Sequence, residues 1–436
     1  MKKLLLAFLL IPSLLFSQSD TTRGIHFEQG LSWDQIKQKA KAGNKYIFID
    51  CFATWCGPCK AMDKDIYTNQ KVGEYLNEKF ISVKVQEDTN KLDNEQVKNW
   101  YSAAHAIMNE YKVGSLPSYL FFSPNGEIVH RDLGFKNIND FVALAKNALN
   151  ADSQYYTLLG NYLRGSKNYS VMPYLINLST DLKESKQALM IGQDYSNNYL
   201  LTLNDKELYT KKNLEFIATY IRNPNEKSFG IFYYNADKVD SIMGEKGFAR
   251  RVADFAITKA EISPSVISAT KGGPQPNWSK MSKAIKRRFN KDYADKNILR
   301  AKVSWYYFKK DWLNYNSYAI RQVQKYGLDT VNEMSDRGDY VLNIICWDGI
   351  FFHSNKKKQI KTAIEWMTGV LRRHPLNNYY IDTYANLLYK LGKKEDAIKI
   401  EQTAVNAEHD SSIKKEYMER LQKMQKGEPT WLNVEE

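Results

Sequence analysis

The sequence predicts an α/β domain, a central mixed sheet flanked by helices, followed by an all-α region of helical hairpins. Three observations predict it. Apolar runs of strand length alternate with helical periods up to residue 150. A Cys-x-x-Cys pair falls where one such run gives way to a helix. Beyond residue 150 the strand signal fades, and polar or Gly/Pro-rich breaks separate helical stretches.

The chain has 436 residues, too many for one compact core. Hydrophobic residues make up 43% and charged residues 25%, a globular balance rather than a disordered one. Met1-Lys2-Lys3 precedes an apolar run from Leu4 to Phe16, then Ser17, Gln18, Ser19 and Asp20. That order predicts a secretory signal peptide over residues 1–18, with cleavage near Ser17. The run is too short for a stable bilayer anchor. The expectation is a soluble, exported, periplasmic protein. Its regions are predicted as the α/β domain at 19–150, a helical region at 151–290 and a hairpin array at 291–436. Lys and Arg outnumber Asp and Glu by 62 to 49, a net charge of +13. The positive charges are scattered and interleaved with acids, as between Lys390 and Glu401. A solvated basic surface is expected, and no nucleic-acid partner.

In chain order, Leu31 to Ala42 is amphipathic, with Ser32 and Asp34 as caps and Gly43-Asn44 as a stop. Tyr46 to Phe52 is a near-continuous apolar run, a strand buried on both faces. A helical stretch is predicted from Lys60 toward Thr68, and a strand over Phe80–Val85. Val97, Trp100, Tyr101, Ala104, Ile107, Met108 and Tyr111 recur at helical spacing. Ser118–Phe122 and Glu127–Arg131 read as strands around the turn Ser123-Pro124-Asn125-Gly126. Asn137 caps a last helix from Ile138 to Asn150.

The breaks after that include Arg164 to Asn168 and the linker-like Lys271-Gly272-Gly273-Pro274-Gln275-Pro276. Near the end, Tyr384 to Ala397 resembles a tetratricopeptide repeat, with a Gly turn at Gly392 and small residues at Ala397 and Ala404. Ala363, 34 residues before Ala397, is the equivalent position one period earlier. Glu401 stands where that pattern prefers a large apolar residue, and another kind of helical-hairpin array remains open.

The chain has four cysteines, far too few for a disulfide scaffold. Their spacing matters more. Cys56 and Cys59 flank Gly57-Pro58 just after the first buried strand. A sulfur at a helix start is favoured as thiolate by unpaired N–H groups and the helix dipole. Only the thiolate attacks a disulfide. A second sulfur one turn further in can bond back to the first. A structural zinc site would need about four ligands, and neither a second such pair nor a His spacing supplies them. A structural disulfide this short would constrain little. Neither a metal nor a cofactor is therefore expected beyond the Cys56–Cys59 disulfide itself. Asp50 inside an apolar strand is costly unless paired or neutral. Burial should raise its pKa, so that it could exchange the proton of Cys59. Capping of the adjacent turn is the alternative for Asp50.

The run Asp50-Cys51-Phe52-Ala53-Thr54-Trp55-Cys56-Gly57-Pro58-Cys59-Lys60 resembles the active site of the thioredoxins. Tyr111-Lys112-Val113-Gly114-Ser115-Leu116-Pro117-Ser118 resembles their cis-proline signature. Asp65 to Val72 also resembles the periplasmic C-terminal domain of DsbD-type disulfide-interchange proteins. The resemblance covers roughly residues 25 to 150 and implies a thioredoxin-like fold. It implies a protein thiol–disulfide oxidoreductase in which Cys56 attacks and Cys59 resolves the mixed disulfide. Trp55 would shape the entrance, and Pro117 would face the sulfurs. The Leu116 backbone would pair with an extended substrate. Lys84 matches a family lysine near the carboxylate, although alternation also allows a solvated face beside Phe80 and Ser82. Phe52 replaces the usual Trp, and the segment from Asp88 to Tyr111 is longer than in minimal members. Cys51, on the face opposite Asp50, and Cys346 are expected to be buried core thiols.

The Gly57-Pro58 pair resembles reducing thioredoxins, near about −270 mV, rather than oxidants near about −120 mV. The gap of about 150 mV is worth roughly 7 kcal/mol for two electrons. A reductase or isomerase is expected, with a potential below about −200 mV. Disulfide-bearing proteins would be its substrates and a membrane thiol donor its electron source, with a further protein partner on the helical region. The competing expectation is a non-catalytic adaptor whose helical region is functional and whose thioredoxin fold is a redox-sensitive scaffold.

Overall fold

The computed structural model describes residues 23–328 and 335–431. The predicted signal peptide lies outside them. The described chain divides into two compact units, one ending at Gly192 and the other beginning at Gln193.

In the first unit, strands β1 (Tyr46–Phe52), β2 (Phe80–Gln86), β3 (Ser118–Phe122) and β4 (Ile128–Leu133) form one sheet in the order β2-β1-β3-β4. β1 runs parallel to β2 and antiparallel to β3, and β3 pairs antiparallel with β4. The sheet is thus mixed. Its helices are α1 (Trp33–Gly43), α2 (Gly57–Ala61), α3 (Gln70–Lys79), α4 (Glu95–Glu110) and α5 (Ile138–Leu149).

Alternation along the strands builds two cores. Phe48, Phe80, Tyr119 and Phe121 point to one face, where Met62, Tyr67, Leu76 and Phe141 cover them. Ile47, Ile49, Cys51, Val83, Val85 and Leu120 point to the other, beneath Ile36, Ala40, Ala104 and Ile107. Both faces are apolar because both carry helices, which is why β1 reads as a continuous hydrophobic run. Asp50 shares the face of Phe48, and Cys51 takes the opposite one.

The helix after the cysteines starts at Gly57, three residues ahead of the prediction, because Cys56 caps it. It passes into a wide π-type turn over Met62–Ile66 and stops there, short of Thr68. The Asn137 cap is present, its side chain accepting from the Asp140 N–H at 3.0 Å. The hairpin turn closes with the Gly126 N–H on the Ser123 carbonyl at 2.8 Å, with φ of 83° at Gly126.

Among the described residues no strand follows β4. Helices α6 (Tyr155–Leu163) and α7 (Met172–Asp181) belong to the first unit, so the expected boundary at residue 150 falls inside it. A buried polar contact ties them on: His130 Nδ1 in β4 accepts the Tyr155 N–H at 3.0 Å.

Among its described residues the second unit has helices and their connecting turns but no strand. Its last helices span Lys357–Arg373, Asn378–Lys390, Lys394–Ala407 and Ser411–Lys426. Ala363, Ala397 and Ala404 are fully buried where these helices touch. Glu401 is also fully buried, beside Asp382 and Asn386. Burial, with the Asp382 carboxyl beside it, pushes Glu401 well above the usual carboxylate range, which favours its neutral form. That is how an acid occupies a position expected to be apolar. Cys346 is buried in the wide turn Ile345–Phe351, and like Cys51 it is a free thiol.

Candidate functional site: the Cys56–Cys59 pair

β1 delivers the chain into the turn Ala53-Thr54-Trp55, and α2 starts one residue after Cys56. Pro58 in the first turn costs nothing there, since its missing N–H would have had no helical partner. Cys56 and Cys59 are bonded, with S–S 1.98 Å and Cα–Cα 5.3 Å. The Cys59 N–H also donates to Cys56 Sγ at 3.2 Å. A backbone N–H directed at a cysteine sulfur is an arrangement that favours a thiolate there.

The surroundings are mostly apolar. Phe52, Ala53 and Leu116 pack on the two cysteines. Cys56 is only 3% exposed, so it presents a narrow surface to solvent. Trp55 is 68% exposed, an aromatic placed beside the disulfide and outside the core. The Leu116–Pro117 bond is cis. The Pro117 carbonyl accepts the Gly134 N–H at 2.8 Å, and Ser118 Oγ donates to the Ser115 carbonyl at 2.6 Å. Those bonds hold the loop carrying Leu116 against the sulfurs.

Asp50 lies in β1 and is 1% exposed. Burial dominates its proton affinity and pushes it up to about 7, against an opposing pull from Lys84. Lys84 is the register partner of Asp50 on β2, with Nζ 3.8 Å from Asp50 Oδ2. The same ammonium contacts Asp63 and sits 4.4 Å from the Phe52 ring centroid. Lys84 therefore belongs to a half-buried charge cluster rather than to a solvated face. The cluster forms because the strip between β2 and the turn Met62–Ile66 is covered by aromatic rings. Tyr67 faces the Asp50 carboxyl and favours its charged form. Even so, neither Asp50 Oδ1 nor the Tyr67 hydroxyl completes a well-formed hydrogen bond among the described residues. A buried carboxyl placed this way can take and return a proton near neutral pH.

Sequence reasoning missed four residues here. Asp63 and Tyr67 complete the Asp50 environment. Asp88 braces the active-site turn: its Oδ1 accepts the Thr54 N–H at 2.9 Å, and its other oxygen accepts from the Thr54 hydroxyl. Lys183 donates to Ser115 Oγ at 3.0 Å, next to the cis-proline loop. Only Asp63, four residues past Cys59, carried a local signal. The other contacts join positions far apart in sequence.

Residues 33–149 match the family of thioredoxin-like domains. This part of the chain is a thioredoxin-like domain with a redox-type cysteine pair at disulfide distance. It is 31% identical over 118 residues to the chloroplastic thioredoxin Y of Oryza sativa subsp. japonica, covering 27% of this chain and 58% of that protein. It is 30% identical over 112 residues to the thiol:disulfide interchange protein DsbD of Campylobacter jejuni, covering 26% of this chain and 18% of that one. Against the chloroplastic thioredoxin Y1 of Arabidopsis thaliana it is 28% identical over 138 residues, covering 32% and 69%. The chain thus spans less than two thirds of the first two relatives, and these similarities cover no more than about a third of it.

Proposed function

We propose that this protein is an exported protein-disulfide reductase or isomerase working through Cys56 and Cys59. The observation that carries the reading is the pair itself: two bonded sulfurs at the start of a helix, with the Cys59 N–H directed at Cys56 Sγ. Export is inferred from the signal-like residues 1–18, and a membrane thiol would supply electrons.

In the reduced form, the Cys56 thiolate attacks one sulfur of a substrate disulfide. The substrate S–S bond breaks, a mixed disulfide forms, and one substrate thiolate leaves. Asp50 then takes the Cys59 proton, and Cys59 attacks Cys56 Sγ. The second substrate sulfur departs as thiolate. The substrate has gained two electrons and the protein is left with its Cys56–Cys59 bond. A donor dithiol reverses the sequence.

Insulin-disulfide reduction tests this. Turnover by the native chain and its loss in Cys56→Ser are expected. Equal inertness of both proteins would favour the adaptor role. A redox titration should place the potential below about −200 mV, whereas a value near about −120 mV would overturn the reducing direction.

A further inference from the structure

The segment that carries Ser115 and Leu116 to the disulfide has no regular backbone of its own. Helix α4 closes at Val113, whose N–H donates to the Met108 carbonyl at 2.9 Å. Strand β3 begins at Ser118. Gly114, Ser115, Leu116 and Pro117 lie in neither helix nor strand. Such a stretch needs contacts from elsewhere to hold one shape. Leu116 packs on both cysteines, so whatever fixes this stretch also fixes one wall of the redox site.

Contacts reach it from beyond the thioredoxin-like domain, whose family match ends at residue 149. They start in one turn, Leu182-Lys183-Glu184, where α7 ends and the next helix begins at Ser185. Lys183 Nζ donates to Ser115 Oγ at 3.0 Å, two positions before the cis Pro117. Glu184 reaches the other end of the segment through Arg131 in β4. Arg131 is 4% exposed, and its Nη1 lies 3.3 Å from Glu184 Oε1 and donates to the Tyr111 carbonyl at 3.0 Å. That carbonyl sits at the C-terminal end of α4, where a cation completes the open end of a helix. A buried guanidinium is costly without such partners, so Glu184 fixes Arg131 and Arg131 fixes Tyr111.

The turn is built to present the lysine. Lys183 has φ of 60°, the left-handed conformation that glycine adopts at least cost. Its N–H donates to the Thr180 carbonyl at 2.9 Å, and the Glu184 N–H to the Ser179 carbonyl at 2.7 Å. These are the bonds of a helix end where glycine is the usual residue. Glycine would suit this backbone better and would remove the ammonium. The support behind the turn is firm: His130 Nδ1 accepts the Tyr155 N–H, and Gln154 Nε2 donates to the Ala148 carbonyl at 2.8 Å, both buried.

We propose that this turn is a clamp on the cis-proline loop. Lys183 and Glu184 are positioning residues of the redox site, holding the Ser115–Leu116 backbone in the shape with which an extended polypeptide disulfide pairs. The proposal rests on the reading of Cys56 and Cys59 as an exchange pair. It makes α6 and α7 part of the apparatus for polypeptide disulfides, and leaves untouched small disulfides that need no such pairing.

The test compares two disulfides above their uncatalysed rates, with dithiothreitol as electron donor. Insulin can pair along the loop, and bis(2-hydroxyethyl) disulfide is too small to do so. Lys183→Gly should lower kcat/KM for insulin about fivefold, mainly through KM, and Lys183→Gly with Glu184→Gln about tenfold or more. Turnover of the small disulfide should stay within about twofold, and the potential of the Cys56–Cys59 pair should not move. Lys183→Arg, which keeps a donor, should act as the native chain does. Melting curves report the fold of each variant, and Lys183→Gly is not at risk because glycine suits its backbone. Hydrogen exchange of the Gly114, Ser115 and Leu116 amides needs no activity, and should quicken about fivefold in Lys183→Gly. Unaltered exchange there would overturn the clamp, and so would an equal loss of turnover on both disulfides. A native chain inert toward both disulfides would overturn the redox reading, and the positioning role with it, even where exchange quickens.

Discussion

Replacing Asp50 by Asn tests the carboxyl at the centre of the redox site. Asp50 is raised from 3.8 to about 7, chiefly by burial. A carboxyl with a raised native pKa binds its proton more tightly when the chain is folded. Its contribution is therefore fully favourable below 3.8, is lost as pH rises from 3.8 to about 7, and is flat beyond. Each unit is worth about 1.4 kcal/mol, so ionised Asp50 costs the native state about 4 kcal/mol at pH 8 relative to a side chain that stays neutral. At pH 5 the same reasoning leaves roughly 2 kcal/mol. Asn has the shape of Asp and no charge to desolvate, and Lys84 keeps its contact with Asp63. Asp50→Asn should thus stabilise the first unit in the oxidised form, more at pH 8 than at pH 5. Native-state hydrogen exchange of β1 and β3 amides reads this unit separately from the helical one. A variant less stable than the native chain at pH 8, or a difference independent of pH, would refute the assignment of burial as the dominant cause.

The same substitution should slow resolution of a trapped mixed disulfide by about 10²-fold, since the Cys59 proton loses its acceptor; rapid-quench kinetics would show it. His130 is buried and lowered from 6.5 to about 4, because its charged form would lack water. Its contribution is fully present above pH 6.5 and is lost as pH falls toward 4. The loss should be about 3 kcal/mol. In His130→Asn that part of the acid destabilisation, followed by exchange of α6 amides, should disappear. Asp88→Ala removes two acceptors from Thr54 and should destabilise the active-site turn by about 2 kcal/mol, seen as faster proteolysis between β1 and α2. Glu401 is raised by burial and by Asp382, so Glu401→Gln should raise the melting temperature of the second unit at pH 8 and much less at pH 4. An equal rise at both values would mean that burial does not favour the neutral form of Glu401.

Much of the redox site was legible in the chain because its information is local. The apolar run Tyr46–Phe52 specifies a strand buried on both faces. The four residues Cys56–Cys59 place two sulfurs one helical turn apart whatever the rest of the protein does. The alternation that sends Asp50 and Cys51 to opposite faces follows from the period of a strand. Tertiary structure decided what surrounds those atoms. Whether Lys84 faced water or Asp50 depended on Phe27, Phe52 and Tyr67 closing over it, and these come from three separate stretches. The brace from Asp88 to Thr54 and the capping of α6 by His130 likewise join residues about 25 to 34 positions apart. Proton affinities arise from burial, and burial is a property of the packed molecule rather than of any one segment.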